Sequence, residues 1–247
     1  MRLLLILTTI MVFNEVSWSN PPKPFRKLTV EEKTAIKKYA KAVGKKSDSY
    51  HVLIMTSEGN MVVKLYNQTP LHRDNFSEKV RNGFYDSLLF HRVINNFMIQ
   101  GGDPDSKKAQ SGQRLGSGSA SGPMVPAEFK IDQGIYHKRG ALAAARDGNP
   151  QKASSNCQFY IVQRKPWRTG ELDSATVQRR LSISPEQKQL YTTTGGTPHL
   201  DGGYTVFGEL TIGIDVLDKI ASSKTDRSDR PVADVRMRMF LLNELKR

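Results

Sequence analysis

Residues 90 to 104 read Phe90-His91-Arg92-Val93-Ile94-Asn95-Asn96-Phe97-Met98-Ile99-Gln100-Gly101-Gly102-Asp103-Pro104, two strand-like stretches with polar groups at intervals. If Arg92 and Gln100 lie on neighbouring strands and face outward, a guanidinium and an amide stand beside the apolar pair Phe97 and Met98. A cation, an amide and an apolar floor suit a peptide that contains proline. Taken alone, the same residues also read as a solvated sheet-face arginine and ordinary core. No nucleophile is indicated, because the lone Cys157 has no base identified with it and adjoins the apolar run Phe159-Tyr160-Ile161-Val162, where a small buried thiol is expected. His72, His91, His137 and His199 match no metal-ligand spacing and read as surface or packing residues. Gly101-Gly102-Asp103 lacks the Lys and the following helix of a phosphate loop, so it reads as a strand end and turn. No metal and no cofactor is expected.

Such groups need strands to hold them. The β-favouring runs 51–55 and 61–66 flank Ser57-Glu58-Gly59-Asn60, which predicts a hairpin. Thr69-Pro70 opens a helix as cap and first residue, Phe76 and Val80 lie one turn apart, and Gly83 ends it. Further strands are expected at 88–93, 97–100, 141–145, 158–163, 204–210 and 235–242, with a helix at 214–221. Many short strands with only two helices of their own predict a mainly β domain, a closed or nearly closed antiparallel barrel. Three additions flank or interrupt it. Thr29 and Glu32 form a capping-box pattern that starts a helix ending at Gly44, preceded by a proline-rich arm at 20–26. The stretch 107–123, rich in Ser, Gly and Gln, predicts a mobile surface loop. In the segment 167–194, Ser184-Pro185-Glu186-Gln187 signals a helix start and a weaker helical pattern covers 172–181, so a helical insertion is expected between two strands.

The segment 90–104 resembles the signature of the cyclophilin family of peptidyl-prolyl isomerases. The resemblance continues through Pro126-Ala127-Glu128-Phe129, Lys138-Arg139-Gly140-Ala141-Leu142-Ala143-Ala144-Ala145-Arg146, Ser155-Asn156-Cys157-Gln158-Phe159-Tyr160-Ile161 and His199-Leu200-Asp201-Gly202-Gly203-Tyr204-Thr205-Val206-Phe207-Gly208. It covers about 51–242 apart from the insertion. It implies a closed eight-stranded antiparallel β-barrel capped by two helices, in agreement with the strand count above. It also implies catalysis by Arg92, with Gln100 holding the substrate backbone, and an apolar pocket of Phe97, Met98, Tyr160 and Leu200. Ala145 and Gln158 would line the adjoining groove, with His91 and Tyr204 also at substrate-binding positions. Four positions depart from the commonest pattern: Tyr160 replaces a pocket Phe, His199 an aromatic that is often Trp, Tyr204 a frequent His, and Arg146 a frequent Asn. Tyr160, His199 and Tyr204 motivate the alternative of a proline-peptide-binding module or holdase with weak or no isomerase activity.

The 247-residue chain, 38% hydrophobic, is long enough for one substantial core with appendages. Its net charge of +13 is scattered rather than gathered into a nucleic-acid signature, so no specific nucleic-acid partner is expected. Met1-Arg2 precedes an apolar run at 3–13 and then Ser17 and Ser19, a signal-peptide layout with cleavage after Ser19. The run is too short to span a bilayer comfortably, and no membrane anchor is expected after cleavage. The expected organisation is a signal peptide at 1–19, an arm and helix at 20–49, and an isomerase-like domain at 50–247. The chain would be exported to a periplasm or secreted as a monomer, acting on proline-containing, unfolded exported polypeptides.

Overall fold

The computed structural model describes residues 28–44 and 48–242; the export signal expected at 1–19 and the arm expected at 20–26 lie outside the described residues. The strands are β1 (His51–Thr56), β2 (Gly59–Leu65), β3 (Phe90–Ile94), β4 (Met98–Gly101), β5 (Ala141–Ala144), β6 (Phe159–Val162), β7 (Val206–Ile212) and β8 (Met237–Leu241). They form one antiparallel sheet in the order β3-β4-β6-β5-β7-β2-β1-β8. Side chains alternate across the sheet because successive Cβ atoms point to opposite faces. Val52 and Ile54, Leu142 and Ala144, Phe159 and Ile161, and Met237 and Met239 enter the interior core. Their neighbours enter two outer clusters, with Leu53, Val62 and Phe240 in one and Met98, Ala141, Ala143, Tyr160 and Val162 in the other.

Among the described residues, five α-helices accompany the sheet. The helices α2 (Pro70–Arg81) and α5 (Ile214–Ala221) pack into the interior through Phe76 and Val80, and through Leu217, Ile220 and Ala221. The helix α1 (Val30–Val43) starts at a Thr29–Glu32 capping box and covers the first outer cluster with Ala35 and Ile36, joined by an ion pair from Arg238 to Glu32. The insertion comprises α3 (Thr169–Arg179) and α4 (Pro185–Thr193), the latter opened by the Ser184–Gln187 capping box.

The expected closed barrel is corrected to a curled sheet whose ladder is open between β3 and β8. Among the described residues only a short junction spans that border, the bridge Leu89↔Arg236 with backbone bonds from Ser87 to Met237, Met237 to Leu88 and Phe90 to Val235. The reason is local. β8 begins only at Met237, and β3 turns away at a bulge between Phe90 and Arg92, where Val93 N–H donates to Asp229, a loop residue. Two smaller expectations also change. Thr69 makes no side-chain cap; the Glu128 carboxylate accepts from the Leu71 and His72 amides instead, at 3.2 and 3.0 Å. The stretch 107–123 is tethered, with Asp103 accepting from the Gly116 amide and Arg230 donating to the Gln110 and Gln113 carbonyls.

Candidate active site

The bulge in β3 settles where Arg92 points. Phe90 and Val93 both belong to the interior core although they are three positions apart, an odd spacing that a regular strand cannot place on one face. Making His91 the extra residue restores the alternation and turns Arg92 outward. Pairing then aligns Arg92 with Gln100, Gln100 with Tyr160, Tyr160 with Ala143, and Ala143 with Val206. Opposed side chains in such a row stand about 5 Å apart. The row therefore runs from guanidinium to amide to phenol and on to two apolar groups.

The apolar end is a hydrophobic cluster. Met98 and Tyr160 are buried beneath half-buried Phe97, Leu200, Tyr204 and Ala145, all in one cluster. Phe97 sits at the β3–β4 turn, where its carbonyl accepts from Gln163 N and Arg164 N, and its ring stacks on His199 with centroids 5.8 Å apart. Leu200 ends a 3₁₀ turn over Pro198–Leu200. The Arg146 guanidinium lies 4.7 Å from the centre of the Tyr204 ring and donates to the Gly203 carbonyl, fixing the loop that carries Tyr204.

At the polar end, Gln158 donates through Nε2 to the Gly116 and Gly118 carbonyls, at 3.0 and 2.8 Å. Both of its amide hydrogens are thereby used, so its Oε1 faces Gln100 and accepts from Gln100 Nε2 at 3.0 Å. A groove of about 500 Å³ adjoins this pair, lined by Gln100, Gln158, Ala145, Arg146, Asp147 and the 116–120 backbone. Arg92 is 43% exposed, with its Nε 3.5 Å from Asp229. An ion pair so open to water is worth at most about 1 kcal/mol, so a ligand can displace it.

Nine of the ten residues singled out from the sequence thus converge on one face. The tenth, His91, is 3% exposed, with its ring beneath Gly116. It offers a peptide no free surface and supports the loop that anchors Gln158. Burial pushes its pKa down to about 4, with nearby Asp103 opposing and Arg92 assisting. The unfolded chain, with its His near 6.5, binds more protons between those values, so stability should fall as pH drops from about 6.5 through 4. The loss from His91 should be on the order of 3 kcal/mol at most. Denaturant midpoints between pH 7 and 4 check this: His91→Asn should flatten the decline, and an unchanged slope would remove His91 as its source. His199, also lowered to about 4, first by burial and then by Arg179, adds a smaller effect because it is partly exposed.

Two other polar constellations lie nearby. Ser154 Oγ, His72 and Glu128 have the spacing of a nucleophile relay, with His72 Nε2 3.0 Å from Ser154 and Nδ1 2.7 Å from Glu128. Ser154 is wholly buried, so no acyl group reaches it, and the set fastens the start of α2. Burial raises the pKa of the Cys157 thiol, in keeping with a packing role. Sequence reasoning noted Arg146 only as a departure from the family pattern and missed its hold on the Tyr204 loop, the Gly116–Gly118 tether and Asp229, none of which has a local pattern.

Residues 51–240 match the family described as cyclophilin type peptidyl-prolyl cis-trans isomerase/CLD. A putative peptidyl-prolyl cis-trans isomerase of Staphylococcus haemolyticus is 37% identical over 187 residues, covering 74% of this chain and 86% of the relative. One from Staphylococcus aureus is 37% identical over 186 residues, with 74% and 87% covered. Among solved structures, a Cryptosporidium parvum cyclophilin-type peptidyl-prolyl cis-trans isomerase has the same fold, with TM-score 0.59 at 23% identity, covering 78% of this chain and 97% of that one. A second structure of it, in the presence of the dipeptide Ala-Pro, gives a TM-score of 0.57 at 23% identity, with 77% and 98% covered.

Proposed function

Because the chain belongs to the cyclophilin-type peptidyl-prolyl cis-trans isomerase family, we propose that the row from Arg92 to Val206 is its active surface and that it accelerates X–Pro rotation in exported polypeptides. The observation that carries this is the row itself, a donor and an amide leading to an apolar cluster on one sheet face. Amide resonance sets a rotation barrier of about 18–20 kcal/mol. As the bond twists, the prolyl nitrogen regains its lone pair and becomes an acceptor. A guanidinium aimed at that nitrogen has little to hold in the planar ground state, so its contact favours the twisted state selectively. No bond between heavy atoms breaks, and neither nucleophile nor general base is called for.

The remaining residues hold the substrate. Phe97, Met98, Tyr160 and Leu200 receive the proline ring, with Tyr204 and Ala145 at its border. Gln100, its Nε2 committed to Gln158, presents its carbonyl oxygen to a substrate N–H. The residues before proline extend along the groove past Gln158. The side chain of Tyr160 keeps the flat apolar body that a Phe would supply, which supports catalysis rather than binding alone.

Export rests on the apolar run at 3–13 and the small residues Ser17 and Ser19. Protein recovered from outside the host cytoplasm is expected to begin at Asn20. It should accelerate cis–trans exchange in an Ala-Pro peptide, measured by NMR exchange or a protease-coupled assay. A rate no higher than the uncatalysed one would refute the isomerase reading, and a chain kept in the cytoplasm with residues 1–19 intact would refute export.

A further inference from the structure

The hydroxyl that Tyr160 carries in place of a plain ring is engaged. It lies 3.0 Å from His137 Nε2, and His137 Nδ1 lies 2.9 Å from Asp201 Oδ1. Asp201 also accepts the His137 backbone N–H at 2.9 Å through Oδ1, and Gln187 Nε2 at 3.0 Å and the Tyr191 hydroxyl at 2.5 Å through Oδ2. A carboxylate only accepts, so His137 Nδ1 carries the hydrogen it shares with Asp201. In the neutral ring Nε2 is then the acceptor, and Tyr160 donates to it. The directions at Asp201 follow from its acceptor-only carboxylate, and that from Tyr160 from the neutral form of the ring.

All of these groups are buried: His137 is 1% exposed, Tyr160 5% and Tyr191 not at all. Gln187 and Tyr191 belong to α4, the second helix of the insertion. The insertion is fastened at this point, since Trp167 N–H donates to the Tyr191 carbonyl and Trp167 Nε1 to the Gly196 carbonyl. Gly196 packs so closely that a Cβ there would lie 2.2 Å from the His137 carbonyl oxygen.

We propose that the insertion sets the affinity of the proline pocket: Gln187 and Tyr191 fix Asp201, Asp201 fixes His137, and His137 holds the ring of Tyr160 in the pocket floor. His137, Asp201, Gln187 and Tyr191 are positioning residues, since they reach substrate only through Tyr160. A buried ring held by both packing and a directed hydrogen bond has one orientation. Loss of the bond leaves the ring free to tilt and leaves buried polar atoms without partners. The insertion is therefore part of the active surface rather than an appendage to it.

The inference rests on the reading of this pocket as the proline site, and a double-mutant cycle tests it on Tyr160→Phe, Tyr191→Phe and the pair. Each single variant should raise KM for an Ala-Pro peptide about five-fold, the effect falling on KM rather than kcat. The pair should be no worse than Tyr160→Phe alone, because the chain then has no pocket end to act on. Independent, multiplying effects, or a Tyr191→Phe enzyme with unchanged KM, would overturn the proposal. The ¹⁵N shifts of His137 give a reading that needs no turnover. They should show the Nδ1–H form in the wild type, and Tyr191→Phe should move both the His137 and the Tyr160 ring signals; an unmoved Tyr160 would overturn the relay. A wild type without isomerase activity would defeat the functional reading, while the NMR result would still judge the relay.

Discussion

Replacing Arg92 by alanine should lower kcat/KM for Ala-Pro exchange by about two to three powers of ten, since one well-placed donor in a partly dry site contributes roughly 2.7–4 kcal/mol to a transition state. Stability should hardly change. The side chain is 43% exposed and its only ion pair among the described residues is the open one to Asp229, so the melting temperature should stay within about 3 °C. Arg92→Lys separates charge from geometry: a lysine keeps the charge but not the planar fork, and most of the loss should remain. Full activity in Arg92→Ala, with fold intact by circular dichroism, would sink the mechanism.

A second large effect is expected at Gly102. Its φ is +96°, and a Cβ there would lie 2.2 Å from the Cys157 carbonyl oxygen and 2.9 Å from Gln158 Cα. Both contacts are to backbone, which cannot swing aside as a long side chain would. Gly102→Ala should therefore destabilise the fold by about 3 kcal/mol or more. At roughly 2–4 °C per kcal/mol for a domain of this size, the melting temperature should drop by about 6–12 °C. The clash lies where the end of β4 meets the approach to β6, so the surviving folded protein should also lose the Gln100–Gln158 contact and bind peptide more weakly. A scan of melting temperature against urea midpoint checks the size. A change below 1 kcal/mol would show that the two strands part here more easily than their packing implies.

Much of this was legible in the chain. β-favouring runs located all eight described strands to within about two residues, because branched and aromatic side chains suit a packed, pleated sheet. The capping boxes at Thr29 and Ser184 named their helices, since a helix start must satisfy its free amides locally. What escaped was nonlocal. Glu128 caps α2 from 56 residues away, a partner no window on the sequence contains. The Ser- and Gly-rich loop read as mobile because composition reports intrinsic freedom, not the Asp103 and Arg230 side chains that hold it. Eight strands could be counted, whereas the incomplete border between β3 and β8 depends on which segments meet. For the site, outward placement of Arg92 and Gln100 was conditional in the sequence; the odd spacing of Phe90 and Val93 was the unread sign that made it so. Asp201, His137 and Tyr191 carried no sign, since their meaning arises only when three separate segments converge.

That odd spacing also has a genetic consequence. Most substitutions in β3 change one side chain, but losing one codon between Phe90 and Val93 would remove the bulge and reverse the facing of everything on one side of it. Arg92 would turn toward the core, or Phe90 would be driven out of it. A codon gained or lost in the exposed run 147–152 would only alter the length of a surface turn. The placement of the guanidinium is thus inherited as a residue count, and this strand should be far less tolerant of length change than of amino-acid replacement.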